Sequence, residues 1–248
     1  MIKVAVCGAN GKMGQEVVKA VTNAKDMTLV AKIDIVNGEF ASIKEAKNSV
    51  EIDLVIDFTQ PSSIYENALY CLNNEIKIVI GTTGLSDIQL AELKKISEEK
   101  NVACLIAPNF STGAVLLMKF AQMASKYFNN AEIIELHHNQ KKDAPSGTAV
   151  KTALMMSEVN EDFTAGNCPE KETIEGARGG VSYNNIHIHS VRMPGYIASQ
   201  EVILGASGQI LTLRHDSMNR ECYMPGVLLA ARYISDKNEF IYGLENIM

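Results

Sequence analysis

Ile2-Lys3-Val4-Ala5-Val6-Cys7-Gly8-Ala9-Asn10-Gly11-Lys12-Met13-Gly14 stands at the head of the sequence, and its reading decides the fold. Ile2 to Val6 is a short apolar run of the kind found in a strand covered on both faces. The turn after it spaces its glycines as G-x-x-G-x-x-G, a variant of the dinucleotide-binding fingerprint. Gly8 permits the tight turn, Gly11 lets a pyrophosphate approach the backbone, and Gly14 lets the following helix pack on the strand. Met13 to Val21 reads as that helix. Its free N-terminal amides and positive dipole end suit phosphate. Glycines alone are a weak signal; a glycine turn between a strand and a helix is a stronger one.

Working outward, Met27 to Ile33 reads as a second strand, and Asp34 follows it, 20 residues after Gly14. A carboxylate there would take the adenosine ribose hydroxyls, although a solvated strand-end Asp fits as well when taken alone. Further strands are expected at Leu54 to Phe58, Ile76 to Ile80 and Val102 to Ile106. Helices are expected at Ser62 to Asn74 and at Ser86 to Lys100, the latter capped by Ser86-Asp87. Strand and helix alternating at this spacing imply a Rossmann-like, doubly wound parallel sheet of the α/β class. Ligands on such sheets bind at the carboxyl ends of the strands. The cofactor-binding candidates are therefore Gly8, Ala9, Asn10, Gly11, Lys12, Met13 and Asp34, with Gly81, Thr82 and Thr83 after the fourth strand and Ala107, Pro108, Asn109 and Phe110 after the fifth. The residue after Asp34 is Ile35 and not an arginine, so no obvious group receives a 2′-phosphate, though Lys12 and Lys32 could partly compensate. NADH and NADPH both remain candidate cofactors.

After Asn109 the pattern changes. Thr112 to Phe128 reads as a long amphipathic helix, Glu132 to His138 as a strand, Thr148 to Val159 as a helix, and Asn160 to Gly180 as a polar loop. Asn184 to Arg192, Gln200 to Leu204 and Gln209 to His215 read as antiparallel strands joined by the Pro194-Gly195 and Ser207-Gly208 turns. A last helix, Pro225 to Ile234, is apolar enough to pack on a core. The expected organisation is a dinucleotide-binding domain, 1–110, completed by 219–248. It carries an α+β substrate-binding and oligomerisation domain, 111–218, with an open mixed or antiparallel sheet.

Bulk properties narrow the function. A formal net charge of -6 argues against nucleic acid as the main partner. No apolar run approaches the ~18 residues of a membrane span, and the N-terminal stretch lacks a signal-peptide core, so a cytoplasmic protein is expected. The five cysteines, Cys7, Cys71, Cys104, Cys168 and Cys222, are scattered without metal or redox spacing and fit reduced thiols. Metal binding is not expected.

The densest chemistry lies in Glu135-Leu136-His137-His138-Asn139-Gln140-Lys141-Lys142-Asp143-Ala144-Pro145-Ser146-Gly147-Thr148. Two histidines end a strand, a lysine follows, and Ser-Gly-Thr opens a helix. An imidazole, a cation and a helix N-terminus around one spot suit a small dicarboxylate. The amides of Ser146, Gly147 and Thr148 would take one carboxylate, and lysine and histidine the other. A polar strand end with solvated side chains is the plain alternative. His187, His189 and His215 read as histidines packed or hydrogen-bonded in a sheet, Arg178 as a solvated loop residue, and Met118, Met123, Met155 and Met156 as core.

The pattern H-H-x-x-K-x-D-A-P-S-G-T-A resembles the dihydrodipicolinate reductase family, also named 4-hydroxy-tetrahydrodipicolinate reductase. The likeness includes the Gly8–Gly14 turn, Gly81-Thr82-Thr83-Gly84, Ala107-Pro108-Asn109-Phe110-Ser111, His189-Ser190-Val191-Arg192-Met193-Pro194-Gly195, Arg214-His215-Asp216-Ser217 and Met224-Pro225-Gly226-Val227. The resemblance implies NAD(P)H-dependent reduction of the cyclic product of dihydrodipicolinate synthase to tetrahydrodipicolinate, on the path to diaminopimelate and lysine. By motif position it implies His137 as proton donor or acceptor, Lys141 as a proton donor, and His138, Ser146, Gly147 and Thr148 as substrate contacts. It also implies a homotetramer. Arg220 matches a family arginine near the substrate, though direct contact is not expected. Ile35 stands where some members have arginine. The rivals are another two-domain NAD(P)-dependent dehydrogenase and a dinucleotide-sensing regulatory protein. With an aspartate and no arginine at the ribose end, steady-state kinetics should show NADH used at least as well as NADPH; a strong NADPH preference would overturn this.

Overall fold

The computed structural model describes every residue except 165 and 167. The chain divides into two compact units, Met1–Thr112 with Arg220–Met248, and Gly113–Asn219.

The first unit begins with β1 (Ile2–Cys7), α1 (Lys12–Asn23), β2 (Met27–Ile33), α2 (Ile43–Ser49), β3 (Leu54–Asp57), α3 (Ile64–Asn73), β4 (Lys77–Ile80), α4 (Asp87–Lys100) and β5 (Cys104–Ile106). All its strand pairings are parallel. Such a sheet must be covered on both faces, and the burial pattern shows how. Ala5, Cys7, Val55, Ile78, Ile80, Cys104 and Ile106 pack with residues of α2, α3 and α4. The intervening positions, Val4, Val6, Leu54, Ile56, Val79 and Leu105, are buried as well. Helix α1 presents Val17 and Val21 as its buried stripe. At α4, Ser86 and Gln89 form a reciprocal capping box, which satisfies amides that a helix start leaves unpaired.

The second unit holds α5 (Thr112–Ser125), which begins at the last residue of the first, then β6 (Asn130–His137), α6 (Gly147–Ser157), β7 (Gly180–Val181), β8 (His187–Arg192), β9 (Ala198–Ala206) and β10 (Gln209–Ser217). The chain then returns to the first unit with α7 (Met224–Ser235) and β11 (Phe240–Tyr242). Helix α7 packs against α1, and β11 pairs with β5, giving the first sheet the order β11-β5-β4-β3-β1-β2. Neither β7 nor β11 was expected from the sequence; at two and three residues they are too short to show an alternation.

The sheet of the second unit has the order β10-β9-β6-β8-β7, which corrects the expected arrangement. β9 and β10 form the hairpin read at Ser207-Gly208, but β8 is not their antiparallel neighbour. It runs parallel to β6, which lies between β8 and β9. Alternation reports which side chains share a face and says nothing about the partner strand. Helices α5 and α6 cover one face, with Leu117, Ala121, Ala149, Ala153 and Met156 on Ile133, Ile188, Val202 and Leu204. Met118, Met155 and Met156 are buried as expected, whereas Met123 is exposed. Cys7, Cys71 and Cys104 are buried, and burial pushes the Cys104 thiol up to about 12. Among the described residues no helix is long and apolar enough to cross a membrane.

Gly14 is the tightest point of the first turn: a Cβ there would lie 1.9 Å from the Gly8 carbonyl oxygen. Backbone must therefore shift. Gly14→Ala should cost about 1–3 kcal/mol of stability, as overpacking does, and weaken dinucleotide affinity. Thermal unfolding and nucleotide titration would show it, and an unchanged melt with unchanged affinity would contradict it.

Candidate active site

Each unit carries a chemical centre. In the first, Gly8 takes a left-handed conformation at φ +73°, and its carbonyl accepts the Gly11 amide at 3.0 Å. The Gly8 and Ala9 amides donate to the Ile33 carbonyl at 2.9 and 3.2 Å, which ties the turn to the end of β2. Gly11 caps α1 with no side-chain hydrogen bond, so the cap residue supplies no acceptor to the amides of the first turn, where a phosphate would sit. Asp34 is anchored to the same turn through the Asn10 amide at 3.0 Å, and its other carboxylate oxygen accepts the Val36 amide at 3.0 Å. The Asn10 side chain closes the loop by donating to the Val36 carbonyl at 2.6 Å. This cradle fits a dinucleotide.

The other strand ends of this unit contribute differently. Thr82 is buried, and its hydroxyl lies 3.4 Å from Asp57; Thr83 is exposed. Ala107 and Phe110 are buried, with the Phe110 ring 5.8 Å from that of Phe58, while Pro108 is exposed and Asn109 half-buried. Burial thus withdraws the side chains of Thr82, Ala107 and Phe110 from the surface. Lys32 pairs with Glu39 at 3.2 Å, so the compensation for a 2′-phosphate that the sequence allowed it is already committed.

Sequence reasoning passed over Asp57, the last residue of β3. It is fully buried and accepts from the Thr59 amide and hydroxyl, at 2.8 and 2.6 Å, and from the Asn67 side chain at 2.8 Å. Burial raises its pKa, against these bonds. Its position at a carboxyl strand end was the available signal.

The second centre is built on β6. Residues 133, 135 and 137 share the face that α5 and α6 cover, and along it the apolar core gives way from Ile133 to Glu135 and His137. Glu135 has no solvent exposure. Arg192, at the end of β8, grips both its oxygens at 2.8 and 2.7 Å, a bidentate geometry that is among the strongest available. The Ser146 amide donates to Oε1 at 3.2 Å, and His137 Nδ1 lies 2.5 Å from Oε2. Burial alone would push Glu135 up, but the bonds from His137 and Arg192 outweigh it and hold the carboxyl at about 2.

Around this hub stand the candidates. His137 is 14% exposed. His138 lies just past the strand end, exposed, with Nδ1 accepting the Gln140 amide at 3.3 Å. Lys141 is paired with Asp143 at 2.9 Å, a partly exposed ion pair worth at most about 1 kcal/mol and therefore open to exchange with a carboxylate. Ser146 caps α6 through Oγ to the Ala149 amide at 3.2 Å. Because its own amide is given to Glu135, the expected amide anchor reduces to Gly147 and Thr148. Gly147 faces open space. Arg178, expected to be solvated, instead pairs with Glu132 at 2.6 Å and Glu170 at 3.0 Å. His189 also contacts Glu132, and His187 contacts the Arg178 carbonyl. Among the described residues no cluster could hold a metal ion.

Comparison with known proteins bears on both centres. Residues 2–110 match the family "Dihydrodipicolinate reductase, N-terminus" and residues 113–248 match "Dihydrodipicolinate reductase, C-terminus". A 4-hydroxy-tetrahydrodipicolinate reductase of Picosynechococcus sp. is 48% identical, covering 100% of this chain and 98% of that one. The enzyme of the same name from Listeria innocua is 49% identical over 100% of both. A dipicolinate-bound dihydrodipicolinate reductase from Paenisporosarcina sp. superposes with a TM-score of 0.92 at 45% identity, over 100% of both chains.

The depressed Glu135 carboxyl has a signed consequence. A group whose folded pKa lies below its unfolded value contributes stability above the unfolded value and loses it as pH falls through the folded one. The stability Glu135 contributes should be complete above about 4.5 and lost toward about 2. In urea unfolding, the gap between the wild type and Glu135→Gln should shrink as the pH falls through that window. A gap independent of pH would show that the carboxylate charge is not what stabilises.

Proposed function

The chain belongs to the dihydrodipicolinate reductase family, and from that membership we propose how its two centres divide the work. It is an NAD(P)H-dependent oxidoreductase that reduces 4-hydroxy-tetrahydrodipicolinate to tetrahydrodipicolinate in diaminopimelate and lysine biosynthesis. With both halves of the chain matched, the rival readings, another dehydrogenase or a dinucleotide sensor, have no separate support.

The first unit holds the cofactor. Gly8 to Met13 cradle its phosphates, Asp34 takes ribose hydroxyls, and Gly81 to Thr83 with Ala107 to Phe110 form the rest of the seat. Asp34 and the committed Lys32 favour NADH. The bound nicotinamide supplies the hydride. What the chain must supply is orientation and a proton, because negative charge develops toward the ring nitrogen as a conjugated ring carbon is reduced. His137 gives or takes that proton, Lys141 donates a proton, and His138 contacts substrate. Gly147 and Thr148 at the start of α6, with the Ser146 cap, receive a carboxylate of the dianion. The observation that carries these roles is the placement of His137: it ends a strand, is fixed by a buried carboxylate, and belongs to the same segment as a lysine and a helix N-terminus.

The finer assignments to a cytoplasmic homotetramer follow the family resemblance. They are supported by free cysteines and by a sheet face in the second unit on which Ile210, Thr212 and Arg214 are exposed. Nicotinamide absorbance in a mixture coupled to dihydrodipicolinate synthase tests the activity. His137→Gln should lower kcat by about 10²–10⁴-fold with a smaller change in KM. An effect on KM alone would remove the proton-transfer role, and no oxidation of either cofactor by the wild type would remove the reaction.

A further inference from the structure

We propose that Glu135 is a positioning residue that holds His137 in its Nδ1–H tautomer, so that Nε2 is the nitrogen through which the proton passes to or from substrate. The proposal rests on the assignment of His137 as the proton-transferring group. Glu135 and His137 are two residues apart on β6 and so project from one face. The carboxylate has no solvent exposure, and Nδ1 lies 2.5 Å from its Oε2. An ionised carboxylate can only accept hydrogen bonds. The imidazole nitrogen facing it must therefore carry the hydrogen, whether the ring is neutral or charged.

The surroundings make this a fixed constraint. Arg192 uses Nη1 and Nη2 on the two carboxylate oxygens, and Nη2 also donates to the Asp143 carbonyl at 2.8 Å. The Ser146 amide takes a further position on Oε1. With its oxygens engaged by donors from β8, from the start of α6 and from His137, the carboxylate cannot rotate away. The register supports the same geometry: Arg192 pairs with His137 across the parallel β6–β8 ladder, and Ser190 with Glu135. Burial would push the Glu135 carboxyl up, but the hydrogen bonds from His137, Arg192 and Ser190 outweigh it and hold the group at about 2, so it remains an acceptor throughout the range in which histidine titrates.

A structural staple joining β8 to β6 would need Arg192 and Glu135 but would be indifferent to the imidazole. Glu135→Gln separates the two roles. An amide offers one acceptor oxygen, and the charged Arg192 fork is the stronger claimant. The NH2 group is then turned toward His137, where it favours a bare Nδ1 and hence the Nε2–H neutral tautomer. In serine hydrolases the corresponding carboxylate-to-amide change lowers kcat about 10⁴-fold by this inversion.

The experiment is long-range ¹H–¹⁵N correlation spectroscopy on full-length protein with ring-labelled histidine, His137 being assigned from the missing signal of His137→Gln. The expected result is a neutral His137 protonated at Nδ1 in the wild type and at Nε2 in Glu135→Gln, with kcat lowered about 10²–10⁴-fold in the variant and KM changed far less. A wild-type His137 protonated at Nε2 overturns the proposal, and that spectrum needs no variant, so it decides even if Glu135→Gln fails to fold. Glu135→Gln with wild-type kcat, while His137→Gln loses it, overturns the proposal and leaves the role of His137 intact. Wild-type kcat in His137→Gln instead removes the underlying assignment.

Discussion

A carboxylate with no access to water, gripped by an arginine from the next strand, is the constraint on which the second unit depends. Taking Glu135 out of water is costly unless its oxygens are paired. Here Arg192, His137 and the Ser146 amide pair them. The donors come from β8, from β6 itself and from the start of α6, so satisfying one buried charge fixes three segments at once. It sets where β8 must end, where α6 must begin, and which way the His137 ring faces. The loop between His138 and Pro145 is left to present Lys141, with Arg192 reaching back to the Asp143 carbonyl at 2.8 Å.

The first unit solves its own problem by a different route. Its glycine turn is shaped by the backbone: Gly8 supplies a left-handed conformation, Gly11 leaves the helix start without a side-chain cap, and Gly14 allows contact that a methyl group would forbid. Asp34 is preorganised by the Asn10 amide of the turn and by the Val36 amide two residues on. Oriented backbone dipoles of this kind suit a phosphate-rich ligand. The proton-transfer role proposed for His137 in the second unit instead needs a titratable ring held in one orientation, which side-chain pairing provides. Buried, unreactive thiols complete the contrast: Cys7, Cys71 and Cys104 are pushed up by burial and serve as small apolar residues.

Much of this was legible in the residues because it is local. The Gly8–Gly14 turn, Asp34 after the second strand, the alternation of strands and helices to residue 106, and the His-His-Lys segment each occupy one short stretch with one period or spacing. Local chemistry of that kind is encoded where it acts, and the parallel sheet, the reductase family and the dinucleotide turn followed from it. Even there the side chains of Thr82, Ala107 and Phe110 turned out to face inward, because a spacing gives position along the chain and not burial.

Other features were decided only by the tertiary structure, because each joins residues far apart in sequence. β6 lies between β8 and β9, although β8 and β9 are consecutive in the chain, and no alternation within a strand names its neighbour. The same insertion brings Arg192 to Glu135, 57 positions away, and turns an unremarked glutamate into the anchor of the site. The Ser146 amide, read as a ligand contact, is spent on that anchor, since helix-start amides go to whichever acceptor folding places closest. The sequence by itself determined which chemical groups are present and on which kind of element each stands. Only the assembled sheet determined which of them touch, because contact depends on strand order and burial, which no short window of residues contains.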